Sequence, residues 1–190
     1  MIIGVMGRGG SGKSVVQHAI SPLFQNCLDL DLVGHDVLTD RTVMAQIRDE
    51  FGDDVFENHR VNRAVLGKQV FASSRCLKKL NDIVHPHITT RGRAWALAHQ
   101  NVARHDSGYH GLIVGALIIQ LGLNDVCDVM VTVDADTAQI LKQQPHYVPI
   151  LNRQASREWY RQHADIIIEN TWSDSFGTQC IAVFKKVLNT

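Results

Sequence analysis

The chain opens "MIIGVMGRGGSGKSVVQHAI" (residues 1–20), and its fold is decided there. A strand-like apolar run, "IIGVM" (2–6), meets a glycine-rich octet, "GRGGSGKS" (7–14), and then apolar residues at helical spacing. The octet fits G-x-x-x-x-G-K-[ST], with Gly7, Gly12, Lys13 and Ser14 at the fixed positions. Glycines let successive backbone N–H groups turn onto phosphate oxygens. A helix beginning near Lys13 points its positive end at the same oxygens. Lys13 can reach the β- and γ-phosphates, and the Ser14 hydroxyl can be offered to Mg²⁺. Strand before and helix after are the context this motif requires. The expected phosphate contacts are Gly7, Gly9, Gly10, Ser11, Gly12, Lys13, Ser14 and Val15. The motif alone does not separate a kinase from a GTPase, an ATPase or a binding protein.

Outward from the octet, three more apolar runs read as buried strands: "LIVGALII" (112–119), "VMVTV" (129–133) and "DIIIEN" (165–170). Helical spacing fills 14–24, 41–52, 63–85, 88–105 and 175–188. Pro22 should end or kink the first of these, and Pro86 should bound the 63–85 stretch. Strands alternating with helices predict an α/β fold around a mainly parallel sheet. Apolar runs without alternation fit strands covered on both faces. About five strands are expected. The first should be central, since ligands sit where strand order reverses.

The 190 residues suit a single domain, 1–190, with zero formal net charge and a pI near 7.1. No global field draws the chain to nucleic acid or an anionic membrane, so anion binding must be local. No apolar run approaches the ~20 residues of a membrane span. Cys27, Cys76, Cys127 and Cys180 stand singly, without a C-x-x-C pair, and read as reduced thiols of a cytoplasmic protein. His87, His99, His105 and His110 carry no motif and read as surface histidines.

The next polar cluster is "DLDLVGH" (29–35). Asp29 and Asp31 fall where a second strand should end, and a carboxylate there faces the phosphate site of an open α/β sheet. Asp31 can accept the proton of an acceptor hydroxyl, or hold Mg²⁺ through water. Asp29 reads equally well as a loop acid capping a helix.

From here the chain resembles the dephospho-CoA kinase family, which phosphorylates the ribose 3′-hydroxyl of dephospho-CoA with ATP. "LDLDLVGHDVL" (28–38) is similar to that family's D-x-D-x-x-x-H stretch. "FGDDVF" (51–56), "VNRAVLGKQVF" (61–71) and "LNDIVHPHI" (80–88) follow in the family's order. "QASREWYRQHADIIIENTWS" (154–173) resembles its Q…A-D-x-x-I-x-N-x-x-S segment. The likeness implies a P-loop NTPase fold and a helical acceptor-side flap over 63–105. It implies ATP and Mg²⁺, with dephospho-CoA as acceptor. Carried over by position, Asp31 and Lys13 would be catalytic. Ser14 and Asp31 would hold the metal. His35, Arg63, His85 and Pro86 would line the acceptor side, and Asn170 would lie by the adenine.

The sequence also departs from the family. Val114 stands where the apolar strand should carry an acid, and Ala116 and Gln120 replace a proline and a glutamate. Residues 134–163 read as a reduced lid, with Lys142 followed by Gln143, Gln144 and Pro145 where arginines are expected. Arg153, Arg157 and Arg161 recur every fourth residue and would share a helical face, either solvated or standing in for the lid cations. Two alternatives therefore stay beside the kinase reading. One is a relative that binds nucleotide or CoA-type ligands without efficient transfer; the other is a P-loop kinase acting on another nucleotide. A GTPase is disfavoured, since no N-K-x-D motif occurs.

Overall fold

The computed structural model of the protein describes residues 1–106 and 108–189. Along the chain, β1 (Ile2–Met6) leads to α1 (Lys13–Ile20), β2 (Asn26–Asp29), α2 (Leu30–Val37) and α3 (Arg41–Phe51). A two-residue-per-strand hairpin, β3 (Phe56–Glu57) and β4 (Arg60–Val61), precedes α4 (Arg63–Ala72) and α5 (Ser74–Ala103). Then come β5 (Gly111–Val114), β6 (Val129–Asp134), α6 (Thr137–Gln143), α7 (Val148–Leu151), α8 (Arg157–Gln162), β7 (Ile166–Glu169) and α9 (Phe176–Leu188).

Among the described residues one sheet holds five strands in the order β2-β5-β1-β6-β7, and each neighbouring pair is parallel. β1 is central, as the sequence predicts. Strand order therefore reverses at β1, and the crevice beyond its carboxyl end is where the glycine octet begins. Every residue of β1 and β5 is buried, which is why these runs are continuously apolar. Ile3, Val5, Leu112, Val131 and Val133 pack with Val16 and Ile20 of α1 and with Phe176, Cys180 and Phe184 of α9. The Phe24 ring meets Phe184 edge-on at 6.1 Å.

The chain divides into two compact units, residues 1–29 with 93–190, and residues 30–92. The second is helical apart from the hairpin. Asp40 caps α3 by accepting from Thr42 and Val43 N–H, and Asn62 caps α4 by accepting from Ala64 and Val65 N–H. The hairpin turns through Asn58 and His59, both at positive φ, as a tight two-residue turn demands.

Two boundaries differ from the sequence reading. The strand expected over 112–119 stops at Val114, because residues 115–122 leave the sheet and turn back on themselves. α1 ends at Ile20, before Pro22 in a following 3₁₀ turn, Ser21–Leu23, as the proline predicts. Pro86 does not bound a helix, since α5 runs through it from Ser74 to Ala103. The lost backbone bond costs about 3 kcal/mol. Long helical arms on both sides, anchored by buried Ile88 and Ala96, offset it.

Candidate phosphate-binding site

The octet leaves β1 at Met6 and folds back into the start of α1. Gly7 has φ 153, and a Cβ there would stand 2.4 Å from the Val133 carbonyl oxygen of β6. Gly12 has φ 102 just before α1, and its Cβ would meet the Asn170 Nδ2 at 2.5 Å. At both positions any other residue is strained and also obstructed. Asn170, buried after β7, donates to the Ser11 carbonyl at 3.0 Å and accepts from Trp172 N–H at 2.9 Å. Its side chain therefore pins the loop from behind.

Lys13 Nζ donates to the Gly7 and Arg8 carbonyls at 3.0 and 3.1 Å, so the ammonium lies over the mouth of the loop. Ser14 and Val15 open α1 on its exposed side. The Ser11 hydroxyl is buried and has no hydrogen-bond partner among the described residues. A buried polar group of this kind is costly unless a ligand or water satisfies it. A nucleotide phosphate fits that need. Mg²⁺ keeps phosphate and water ligands and takes few from protein, so the exposed Ser14 hydroxyl suits it as a single protein ligand. Among the described residues no cluster of three His, Cys, Asp or Glu could form a protein-only cage for a metal.

Residues 135–154 lie directly on the loop. Gly9 N–H donates to Gln154 Oε1 at 2.7 Å. Arg8 Nη1 donates to Thr137 Oγ1 at 2.7 Å, and its Nη2 to the Leu151 carbonyl at 3.3 Å. The Tyr147 ring comes within 2.7 Å of where a Gly9 Cβ would be, and Ile140 within 2.6 Å at Gly10. Ala135, Ile140 and Leu151 form a small core there, joined by Tyr147 and Trp172.

The arginine stripe does not form as the four-residue spacing suggests. Arg153 lies in the turn after α7, while Arg157 is the first residue of α8. Arg157 grips buried Asp134 with Nε and Nη2, each at 2.7 Å, and Arg161 binds the same carboxylate and Glu169. These two arginines are neither a solvated face nor free lid cations. Burial alone would raise the Asp134 pKa, but hydrogen bonds from Arg157 and Arg161 outweigh it and hold the carboxyl below its usual range. Asp134 is the last residue of β6, and nothing in its motif singled it out.

Asp29 ends β2, in register with Val114 on β5. The carboxylate absent from β5 thus has one beside it on the neighbouring strand. Asp31 follows in the first turn of α2 and is exposed. Within the second unit, Arg63 opens α4 and donates from Nη2 to His35 Nε2 at 2.6 Å, which joins two predicted acceptor-side residues. His85 and Pro86 lie mid-helix on α5, where burial pushes the His85 pKa down against the opposing pull of Asp82. His99 is not a surface residue. It is buried between Trp95, stacked at 5.3 Å, and Tyr109 at 4.5 Å, and burial lowers its pKa.

The sequence reading missed Arg8, Asp134, Gln154 and Tyr147 as parts of this site. Arg8 stood in plain view at a variable motif position. The tertiary fold brings Gln154 and Tyr147 to the loop and sets Asp134 under Arg157 and Arg161.

A family model described as dephospho-CoA kinase matches residues 1–174. The dephospho-CoA kinase of Thermobifida fusca is 32% identical over 182 residues, covering 90% of this chain and 88% of that one. Among solved structures, TT1252 from Thermus thermophilus is similar with a TM-score of 0.72 at 21% identity, covering 100% of this chain and 96% of that one. The dephospho-CoA kinase from Campylobacter jejuni is similar with a TM-score of 0.64 at 18% identity, covering 99% and 97%. At these identities the two structures speak for the fold, an α/β P-loop kinase fold.

Proposed function

Because the chain belongs to the dephospho-CoA kinase family, we propose that it transfers the γ-phosphoryl group of ATP to the ribose 3′-hydroxyl of dephospho-CoA, the last step of coenzyme A synthesis. The family carries the acceptor, and the observation that carries the ATP side is the loop itself. Glycines fixed at Gly7 and Gly12, Lys13 over the mouth and an unsatisfied Ser11 hydroxyl make a cradle for a polyphosphate at the reversal point of the sheet.

In the transfer, the acceptor oxygen forms a bond to the γ-phosphorus and the bridge to the β-phosphate breaks, releasing ADP. The hydroxyl proton passes to the Asp31 carboxylate, the residue we assign as base. Loop N–H groups and Lys13 carry the charge of the β- and γ-phosphates. Mg²⁺, held by Ser14 and through water by Asp31, would neutralise phosphate charge when bound. Gly9, Gly10 and Val15 complete the ATP contacts, and Asn170 is assigned to the adenine end as well as to the loop. His35, Arg63, His85 and Pro86 are assigned to the acceptor, with Arg63 suited to a substrate phosphate by its planar fork of donors. We take 1–190 as a single functional domain, with 63–105 as its acceptor-side flap and 134–163 as its lid. Cys27, Cys76, Cys127 and Cys180 are free thiols, which supports the cytoplasm as its compartment. Among the described residues no helix is long and apolar enough to cross a membrane.

Calorimetry with ATP tests the cradle. Wild type should bind ATP with Mg²⁺ present, and Lys13→Ala should bind it at least tenfold more weakly, the loss of a charge-assisted contact. Equal affinity in the two proteins would refute this reading of the loop.

A further inference from the structure

A phosphoryl-transfer transition state spreads charge over three oxygens, and a guanidinium on those oxygens is worth orders of magnitude in rate. Arg8 in the loop and the arginines of α8 are not equivalent. Arg157 and Arg161 are committed to Asp134, the former in a two-bonded fork. Their charge is met by buried Asp134 together with Asp136, beside Arg157, and Glu169, beside Arg161.

Arg8 is different. Among the described residues its guanidinium donates to two neutral oxygens, the Thr137 hydroxyl and the Leu151 carbonyl. Its Nε is buried and has no partner among the described residues. Among the described residues no acid forms an ion pair with it. Its position in the loop is also specific. The Arg8 carbonyl accepts from Lys13 Nζ at 3.1 Å, so this residue stands beside the ammonium that serves the β- and γ-phosphates. The next N–H along, that of Gly9, faces Gln154 Oε1 at 2.7 Å, an acceptor of the same kind as a phosphate oxygen. The Arg8 backbone thus stands beside Lys13, while its guanidinium, at the end of a long side chain, rests on Thr137 and Leu151. Thr137 and Leu151 supply weak, neutral holds that an anion can outcompete, since hydrogen bonds to charged acceptors are the stronger ones.

We propose that Arg8 is a catalytic residue of this enzyme: its guanidinium moves onto the γ-phosphoryl oxygens and supplies the charge that Arg157 and Arg161, held by Asp134, do not. The proposal rests on the nucleotide reading of the loop above. It accounts for how a lid poor in free arginines is compatible with transfer.

Arg8→Ala and Arg8→Lys separate this role from a merely structural one. With ATP and dephospho-CoA, Arg8→Ala should lower kcat by about 10²- to 10³-fold while the KM for ATP stays within about threefold. Arg8→Lys keeps a point charge without the fork and should recover part of that loss. ADP should bind Arg8→Ala as it binds wild type, whereas ADP with aluminium fluoride, a mimic of the transferring group, should bind at least tenfold more weakly. If Arg8 only ties the loop to residues 137–151, Arg8→Ala will raise KM and lower the melting temperature with kcat intact, and the proposal falls. If Arg8→Ala does not fold, the decision passes to Arg8→Lys: wild-type kcat and wild-type affinity for the fluoride complex would overturn the proposal. Absence of transfer or ATP binding in wild type would sink the functional reading itself. A wild type that transfers, with an equally fast Arg8→Ala, sinks this inference alone.

Discussion

The glycine loop and residues 134–163 lie against each other, yet they are held by different means. The loop is shaped by its own residues. Gly7 and Gly12 take backbone angles that other residues avoid, and Lys13 bonds carbonyls five and six residues back. The later segment is shaped by partners far away in sequence. Gln154 reaches Gly9 across 145 positions, and Leu151 reaches Arg8 across 143. Arg157 and Arg161 fold back on Asp134, 23 and 27 positions earlier. A structure built from short-range rules can be read from eight letters. One built from long-range pairs cannot, because no local spacing marks which residues will meet.

Chemistry and scaffolding divide along the same line, and substitutions on either side should differ in effect. The largest effect should come from the motif-coded side. Asp31→Asn keeps shape and much of the hydrogen bonding but removes the base. Turnover should fall about 10²- to 10⁴-fold in a steady-state assay while ATP affinity by calorimetry holds. Turnover within a few-fold of wild type would move the base elsewhere, with His35 next to test.

A smaller effect, and on stability rather than rate, should come from the long-range side. Asp134→Asn leaves two guanidiniums without their shared carboxylate. A loss of about 2 kcal/mol is expected, within the range for hydrogen bonds to charged groups. In a domain of this size that is a fall of about 4–8 °C in melting temperature. The sign with pH follows from the lowered pKa of Asp134 in the folded state. Its stabilisation is fully present above the ordinary carboxylate pKa, about 3.9, and is lost as pH falls through the lowered value. Thermal melts of wild type and Asp134→Asn should therefore differ at pH 6 and converge in strong acid. A gap that persists unchanged at pH 2 would show that the pair contributes nothing through its charge.

Much of the fold was legible because its signals are local. Continuous apolar runs marked β1, β5, β6 and β7, and the position of the glycine motif made β1 central. The errors have physical causes. The run 112–119 is apolar beyond Val114 because Ile118 is buried outside the sheet, so hydrophobicity overstated the strand. Pro86 misled because a long, well-packed helix tolerates one missing bond. His99 misled because an imidazole that stacks between aromatic rings carries no sequence mark. Of the site, the loop, Asp29 at the end of β2 and the Arg63–His35 pair lay in quoted motifs. Asp134, Gln154 and the true partners of Arg157 and Arg161 did not, because their meaning lies in which distant residue each one meets.

Whether the loop serves transfer to one acceptor is decided by the initial rate of ATP consumption by wild type with Mg²⁺ and, in parallel reactions, dephospho-CoA, AMP, CMP, UMP or no acceptor. Dephospho-CoA alone should raise ATP consumption well above the acceptor-free rate, with coenzyme A formed in equal amount. A rate unchanged by dephospho-CoA, or raised instead by a nucleoside monophosphate, would contradict it.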